Sequence, residues 1–161
     1  YSLFLKHYLN LSGSMSSLYM LAEFFTLGVT AFLMSFLIDK YNLNLKWIFF
    51  AGIFISGITL ILKVNKQVEI SLIMRMIHGF ADGLVMIVIY NGIARVFEIN
   101  RVGGNLSIII FTQTSGSFIG NLIFSNIGKA YGYHMSFLIS GSLLIFTALL
   151  VAIYNILSKK N

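Results

Sequence analysis

Apolar residues along this chain come in long, nearly unbroken stretches, not in the alternating or one-faced patterns of a water-surrounded fold. A helix that crosses a bilayer needs about 20 predominantly apolar residues, and five stretches meet that requirement. They predict helices over residues 15–37, 47–64, 70–97, 105–127 and 135–157. The connections between them are short and collect the charges: Asp39 to Asn42, Lys63 to Lys66, Arg95 to Arg101, and Lys129 to His134. Residues 1–14 read as the end of a preceding helix and its loop, because Tyr1–Tyr8 is too short to cross alone. The expected fold class is an all-α membrane protein, a single polytopic transmembrane bundle over residues 1–161.

Polar positions inside these stretches follow helical spacing. In the first, Ser16, Tyr19, Glu23, Thr26 and Thr30 step by three and four and so share one face. The third carries Arg75, His78 and Asp82 on one face, and the fourth carries Gln113, Ser117 and Asn121. An ionised side chain at the bilayer centre costs roughly 2.5–3.5 kcal/mol on insertion scales, so such stripes face protein or water and not lipid. The first, third and fourth helices are therefore expected to line a cavity. The second and fifth, with only scattered residues such as Ser56, Thr59, Ser140 and Thr147, are expected to pack outside them and face lipid. Gly79, Gly83, Gly116 and Gly120 read as small residues that let helix backbones approach closely.

Composition sharpens this picture. The chain has 161 residues, 58% hydrophobic and 10% charged, against about 25% charged in a soluble domain. Too little polar side chain is present to cover a water-facing surface. With no cysteine, disulfides, thiolate nucleophiles and cysteine-ligated metals are excluded. The formal net charge of +6 reports membrane orientation in such a chain, not nucleic-acid binding. Lys40, Lys46, Arg95, Arg101, Lys159 and Lys160 fall on one side and Lys6, Lys63, Lys66 and Lys129 on the other. The positive-inside tendency then places residues 38–46, residues 98–104 and the C-terminal end in the cytoplasm, in a plasma or inner membrane. The chain begins at Tyr1, which is read as a sign of a longer protein.

Three local signatures carry a family resemblance. Ser35-Phe-Leu37-Ile-Asp39-Lys40-Tyr-Asn42 resembles the Gly-x-Leu-x-Asp-Arg-x-Gly-Arg signature of the major facilitator superfamily, with Ser35 and Asn42 for the glycines and no arginine pair. Asparagine also tolerates a left-handed turn. Arg75-Met-Ile-His78-Gly79 is similar to that family's Arg-x-x-Gln-Gly, with histidine for glutamine, and Gly128 to Phe137 is similar to its Gly-Trp-Arg-x-x-Phe. Gly116-Ser117 stands where some antiporters carry Gly-Pro, so the antiporter signature is absent. The resemblance implies the end of helix one through helix six of a six-helix half, with the other half as a partner. It also implies a gating role for Asp39 and Lys40.

Asp82 is the leading candidate for chemistry. It lies near the middle of its helix, where a carboxyl can bind a proton reversibly. Glu23 lies at comparable depth and either serves the same cavity or pairs with Arg75. Arg75 offers a planar fork to an anionic group, and His78 titrates near neutral pH and reaches both neighbours on its helix. Gln113 and Asn121 offer hydrogen bonds to a polar substrate, while His7 and His134 read as loop residues. The expected function is secondary active transport of a small solute by alternating access, proton-coupled through Asp82, with the lipid bilayer as surroundings and no cofactor or metal. Two alternatives stand beside it: a membrane scaffold without a transport cycle, and an intramembrane enzyme using His78 and Asp82 as an acid–base pair.

Overall fold

A computed structural model describes residues 2–98 and 102–158. Among these, six helices follow one another: α1 (Ser2–His7), α2 (Gly13–Tyr41), α3 (Leu45–Leu62), α4 (Val68–Val96), α5 (Val102–Tyr131) and α6 (Tyr133–Leu157). All but α1 are long and apolar enough to cross a membrane. Arg101, Lys159 and Lys160, counted above for orientation, lie outside the described residues.

The five long helices all start before the apolar stretches, and α2 and α5 also end beyond them while α3 and α4 stop short, because capping, not hydropathy, sets their ends. Ser12 accepts a hydrogen bond from the Met15 N–H at 3.3 Å and starts α2 two residues before the apolar run. At its other end α2 continues through Asp39 and Lys40 to Tyr41, so these two residues occupy a last helical turn and not a loop. Asn42 then takes the left-handed conformation (φ 49°, ψ 48°) and stops the helix. Asn44 caps α3 through the Lys46 N–H at 3.0 Å. Helix α5 also runs past the expected end and holds Lys129 within it. Only Gly132, at φ +94°, separates α5 from α6, in a conformation that side-chain-bearing residues rarely adopt.

Packing places α4 in the centre. Helix α2 lies along one side of it, α3 along another, and α6 covers the far side of α3, while α5 leans on α6 and meets α4 only briefly. Close approach depends on glycine. A Cβ at Gly79 would strike Thr26 Oγ1 and the Glu23 carbonyl, and one at Gly83 would lie 2.7 Å from the Leu27 carbonyl, so α2 and α4 touch along this edge. Gly57 of α3 and Gly141 of α6 meet in the same way. Gly116 and Gly120 differ, since nothing stands within 4 Å of a Cβ built at either; they sit on α5, where Gly128, near the turn to α6, is buried.

Helix α3 packs outside α4, and its Gly52, Ser56, Gly57 and Thr59 are buried between α4 and α6. One expectation is corrected here. His7 and His134 are not loop residues. His7 ends α1 and stacks on Tyr133 at 5.9 Å, and His134 opens α6 and stacks on Tyr8 at 5.5 Å. These rings help a small cluster of Phe4, Leu5, Leu9 and Tyr19 close one end of the bundle.

Candidate functional site: a buried polar column beside a cavity

Helix α4 presents a different polar residue to each neighbour. Toward α2, Arg75 forms an ion pair with Glu23, both side chains about nine-tenths buried. Their helices can approach here because Gly79 lies one turn along. Farther toward the end of the bundle, Tyr19 donates its hydroxyl hydrogen to the Val68 carbonyl at 2.6 Å. The stripe on α2 is thus spent on the α2–α4 interface. Glu23 and Arg75 neutralise each other there, which a charge in a dry setting requires.

Toward α3, His78 and Asp82 meet residues that the sequence pattern had left aside. His78 Nδ1 lies 3.0 Å from Ser56 Oγ and 3.2 Å from Thr59 Oγ1. Ser56 Oγ lies 3.2 Å from Asp82 Oδ1, and His78 Nε2 lies 3.6 Å from Asp82 Oδ2. Ser56, His78 and Asp82 therefore form a closed ring. The signal was present in the sequence: Ser56, Thr59 and Lys63 step by three and four along α3, as the recognised stripes do.

Hydrogen counting assigns the ring. The single hydroxyl hydrogen of Thr59 goes to the Ile55 or Ser56 carbonyl, at 2.9 and 3.0 Å, so Thr59 meets His78 Nδ1 as an acceptor. With the Thr59 hydrogen on a carbonyl, Nδ1 carries the ring hydrogen and Ser56 donates to Asp82. One position remains open, between His78 Nε2 and Asp82 Oδ2. Empty, it sets an imidazole lone pair against a carboxylate; filled by one proton, it becomes an attractive contact. With that tautomer, the 3.6 Å gap between His78 Nε2 and Asp82 Oδ2 is the place where one proton fits.

Asp82 also opens the ring to space. It falls at the middle of Val68–Val96, and its side chain retains 37% exposure. It lines a cavity of about 320 Å³ together with Leu27 of α2, Met86 and Tyr90 of α4, and Leu106, Ile110 and Gln113 of α5. So α2, α4 and α5 supply the walls, and Asp82 and Gln113 share them. Asn121 lines a separate cavity of about 530 Å³ against Phe4 and Ser136, so it stands apart from Asp82. Glu23, His78 and Asp82 bring ligand atoms within 4.8 Å of one another, but the Arg75 guanidinium already supplies the cation at Glu23.

At the far end of α4, Arg95 Nη2 stands 3.9 Å from Asp39 Oδ1, both side chains substantially exposed. Lys40 folds over the Phe36 and Tyr41 rings. Such an exposed pair contributes about 0–1 kcal/mol, so it is easily broken and remade.

A family model described as Major Facilitator Superfamily matches residues 1–160. Searches of curated proteins and of solved structures gave no match. The family match spans the α4 column and the cavity beside it. The chain belongs to the major facilitator superfamily and is a multi-pass membrane transporter.

Proposed function

We propose that this transporter is proton-coupled, that the proton sits between His78 and Asp82, and that the solute is small and amphipathic. The observation that carries this reading is the ring of Ser56, His78 and Asp82, which opens through Asp82 onto the cavity. The cavity wall is mostly aliphatic, with Asp82, Gln113 and Tyr90 as its polar groups. Such a wall suits a solute with an apolar body and a hydrogen-bonding or cationic end. With the proton bound, the ring is satisfied within the protein. With the proton gone, the Asp82 carboxylate is available to the solute. Binding of one thus disfavours the other, which is the condition for exchange. Alternating access then follows from rocking of this bundle against a second one about a midplane site. In this reading residues 1–161 form one half of the carrier, and Asp39 with Arg95 forms a latch that opens and closes as the halves rock.

The test uses proteoliposomes holding a trapped pH-sensitive dye. A panel of small cationic, neutral and anionic amphipaths is added outside. The reading expects at least one cationic or neutral amphipath to change the internal pH in vesicles with protein and not in empty ones. Solute uptake with no movement of protons for every active compound would overturn proton coupling.

A further inference from the structure

Lys63 is the C-cap of α3, just beyond the membrane-spanning part of that helix, and it is 1% exposed. A lysine so enclosed is rare, because an ammonium loses its hydration. Its surroundings show why it is tolerated. The Nζ atom stands over the Phe137 ring of α6 at 4.5 Å, and Ser71 of α4 donates to the Lys63 carbonyl at 3.1 Å. On its own helix it continues the buried face of Ser56 and Thr59, the two partners of His78. Among the described residues, the groups facing this column include buried Tyr19 and Glu23 from α2, buried Arg75 and His78 and partly open Asp82 from α4, and the uncharged Phe137 ring from α6, while Glu69 of α4 acts on Tyr19 from an exposed position.

The charges of that column do not sum to zero unless one proton is added. Glu23 and Arg75 cancel. Asp82 contributes one negative charge, and neutral His78 and neutral Lys63 contribute none. A single extra proton balances the column, and there are two places for it. Buried net charge is costly in a low-dielectric interior, so the states with no added proton or with two are disfavoured relative to the state with one.

We propose that Lys63 is the alternate holder of the transport proton: it becomes charged as the His78–Asp82 pair is emptied and neutral as the pair is filled. In the exchange, the proton between Nε2 and Oδ2 leaves and an N–H bond forms at Lys63 Nζ, with no other bond changed. The column stays neutral while Asp82 is freed for the solute. Burial brings Lys63 down to about 7, the Asp82 charge pulling the other way, so the amine changes charge in the range where such an exchange operates. Lys63 acts through Asp82 and His78 and is a positioning residue toward the solute.

The inference rests on the proton-site reading of His78 and Asp82, and the experiment separates the two. The protein in lipid nanodiscs, with ¹⁵N-labelled histidine, is titrated while the His78 ring nitrogens and the protonated-carboxyl infrared band are recorded. Asp82→Asn and His78→Gln identify which signals belong to the ring. With Lys63→Met the ring should keep its proton to a pH about one unit higher than wild type, for want of the competing positive charge. Lys63→Arg, charged throughout, should leave the transition at or below the wild-type pH. A purely structural Lys63 would lower the yield of folded protein and leave the transition in place in both variants. Equal transitions in wild type, Lys63→Met and Lys63→Arg would overturn the inference while leaving the ring intact. A wild-type ring with no transition at all would overturn the underlying reading instead. Should Lys63→Met not fold, Lys63→Gln provides the same comparison.

Discussion

Asp82, Arg75 and His78 share one face by sequence spacing, yet the structure gives each a different task. Arg75 turns to Glu23, His78 to Ser56 and Thr59, and Asp82 to both Ser56 and the cavity. Spacing alone cannot distribute residues among neighbours, because partners on other helices decide where each one points. The Glu23–Arg75 pair could be anticipated as one of two options, whereas Ser56 and Thr59 looked like scattered hydroxyls. The buried pair yields a direct prediction. Glu23→Gln should destabilise the protein by about 3–5 kcal/mol, since it strands the Arg75 charge. The double variant Glu23→Gln/Arg75→Gln should recover most of that loss. Thermal unfolding in detergent, followed by tryptophan fluorescence, checks both. Lys63 gives a pH dependence. Its amine sits at about 7 in the fold and at 10.5 unperturbed, so the unfolded chain holds the extra proton between those values. Stability should therefore rise with pH from about 7 toward 10.5. In Lys63→Met that rise should be absent, with its melting temperature highest relative to wild type at the acid end of the window.

At the scale of helices, hydropathy located all five crossings, because the need for an apolar span is local and strong. It placed their ends less well, since Ser12, Asn42, Asn44 and Gly132 act through hydrogen bonds and backbone conformation that hydropathy does not register. The walls of the 320 Å³ cavity come from α2, α4 and α5, but α2 supplies Leu27 and not its polar stripe, and of the polar stripes only Asp82 and Gln113 reach it. The place of α3 was not readable in the same way. Its buried face mixes Gly52, Ser56, Gly57 and Thr59 with Ile53 and Leu60, residues that serve equally against lipid or protein. Small residues separate the helices further. Gly79→Leu or Gly83→Leu should force α2 from α4 and cost about 1–3 kcal/mol, lowering the melting temperature. Gly116→Leu and Gly120→Leu should leave it within a degree or two of wild type, because a Cβ at either position meets open space.

Across the whole molecule, the bundle has one dense side and one open side. Helices α2, α3, α4 and α6 enclose the polar column, while α5 stands with its apolar face uncovered, Phe111 and Phe118 among the exposed residues. An exposed hydrocarbon surface of this kind is at home in lipid or against a second bundle. Family membership could be read from signatures at three places in the chain, and a match over residues 1–160 establishes it. Orientation rests on the distribution of lysine and arginine, so it should be tested directly. A cysteine at Lys40 should react with a membrane-impermeant thiol reagent only after the cells are opened, and one at Lys66 should react from outside. The central claim is that transport uses the proton held by Asp82 and His78. Its most direct test is accumulation of an active amphipath in proteoliposomes under an imposed pH gradient, with wild type and Asp82→Asn reconstituted at equal amounts. The account predicts gradient-dependent accumulation by wild type and its loss in Asp82→Asn; accumulation by Asp82→Asn equal to wild type would contradict it.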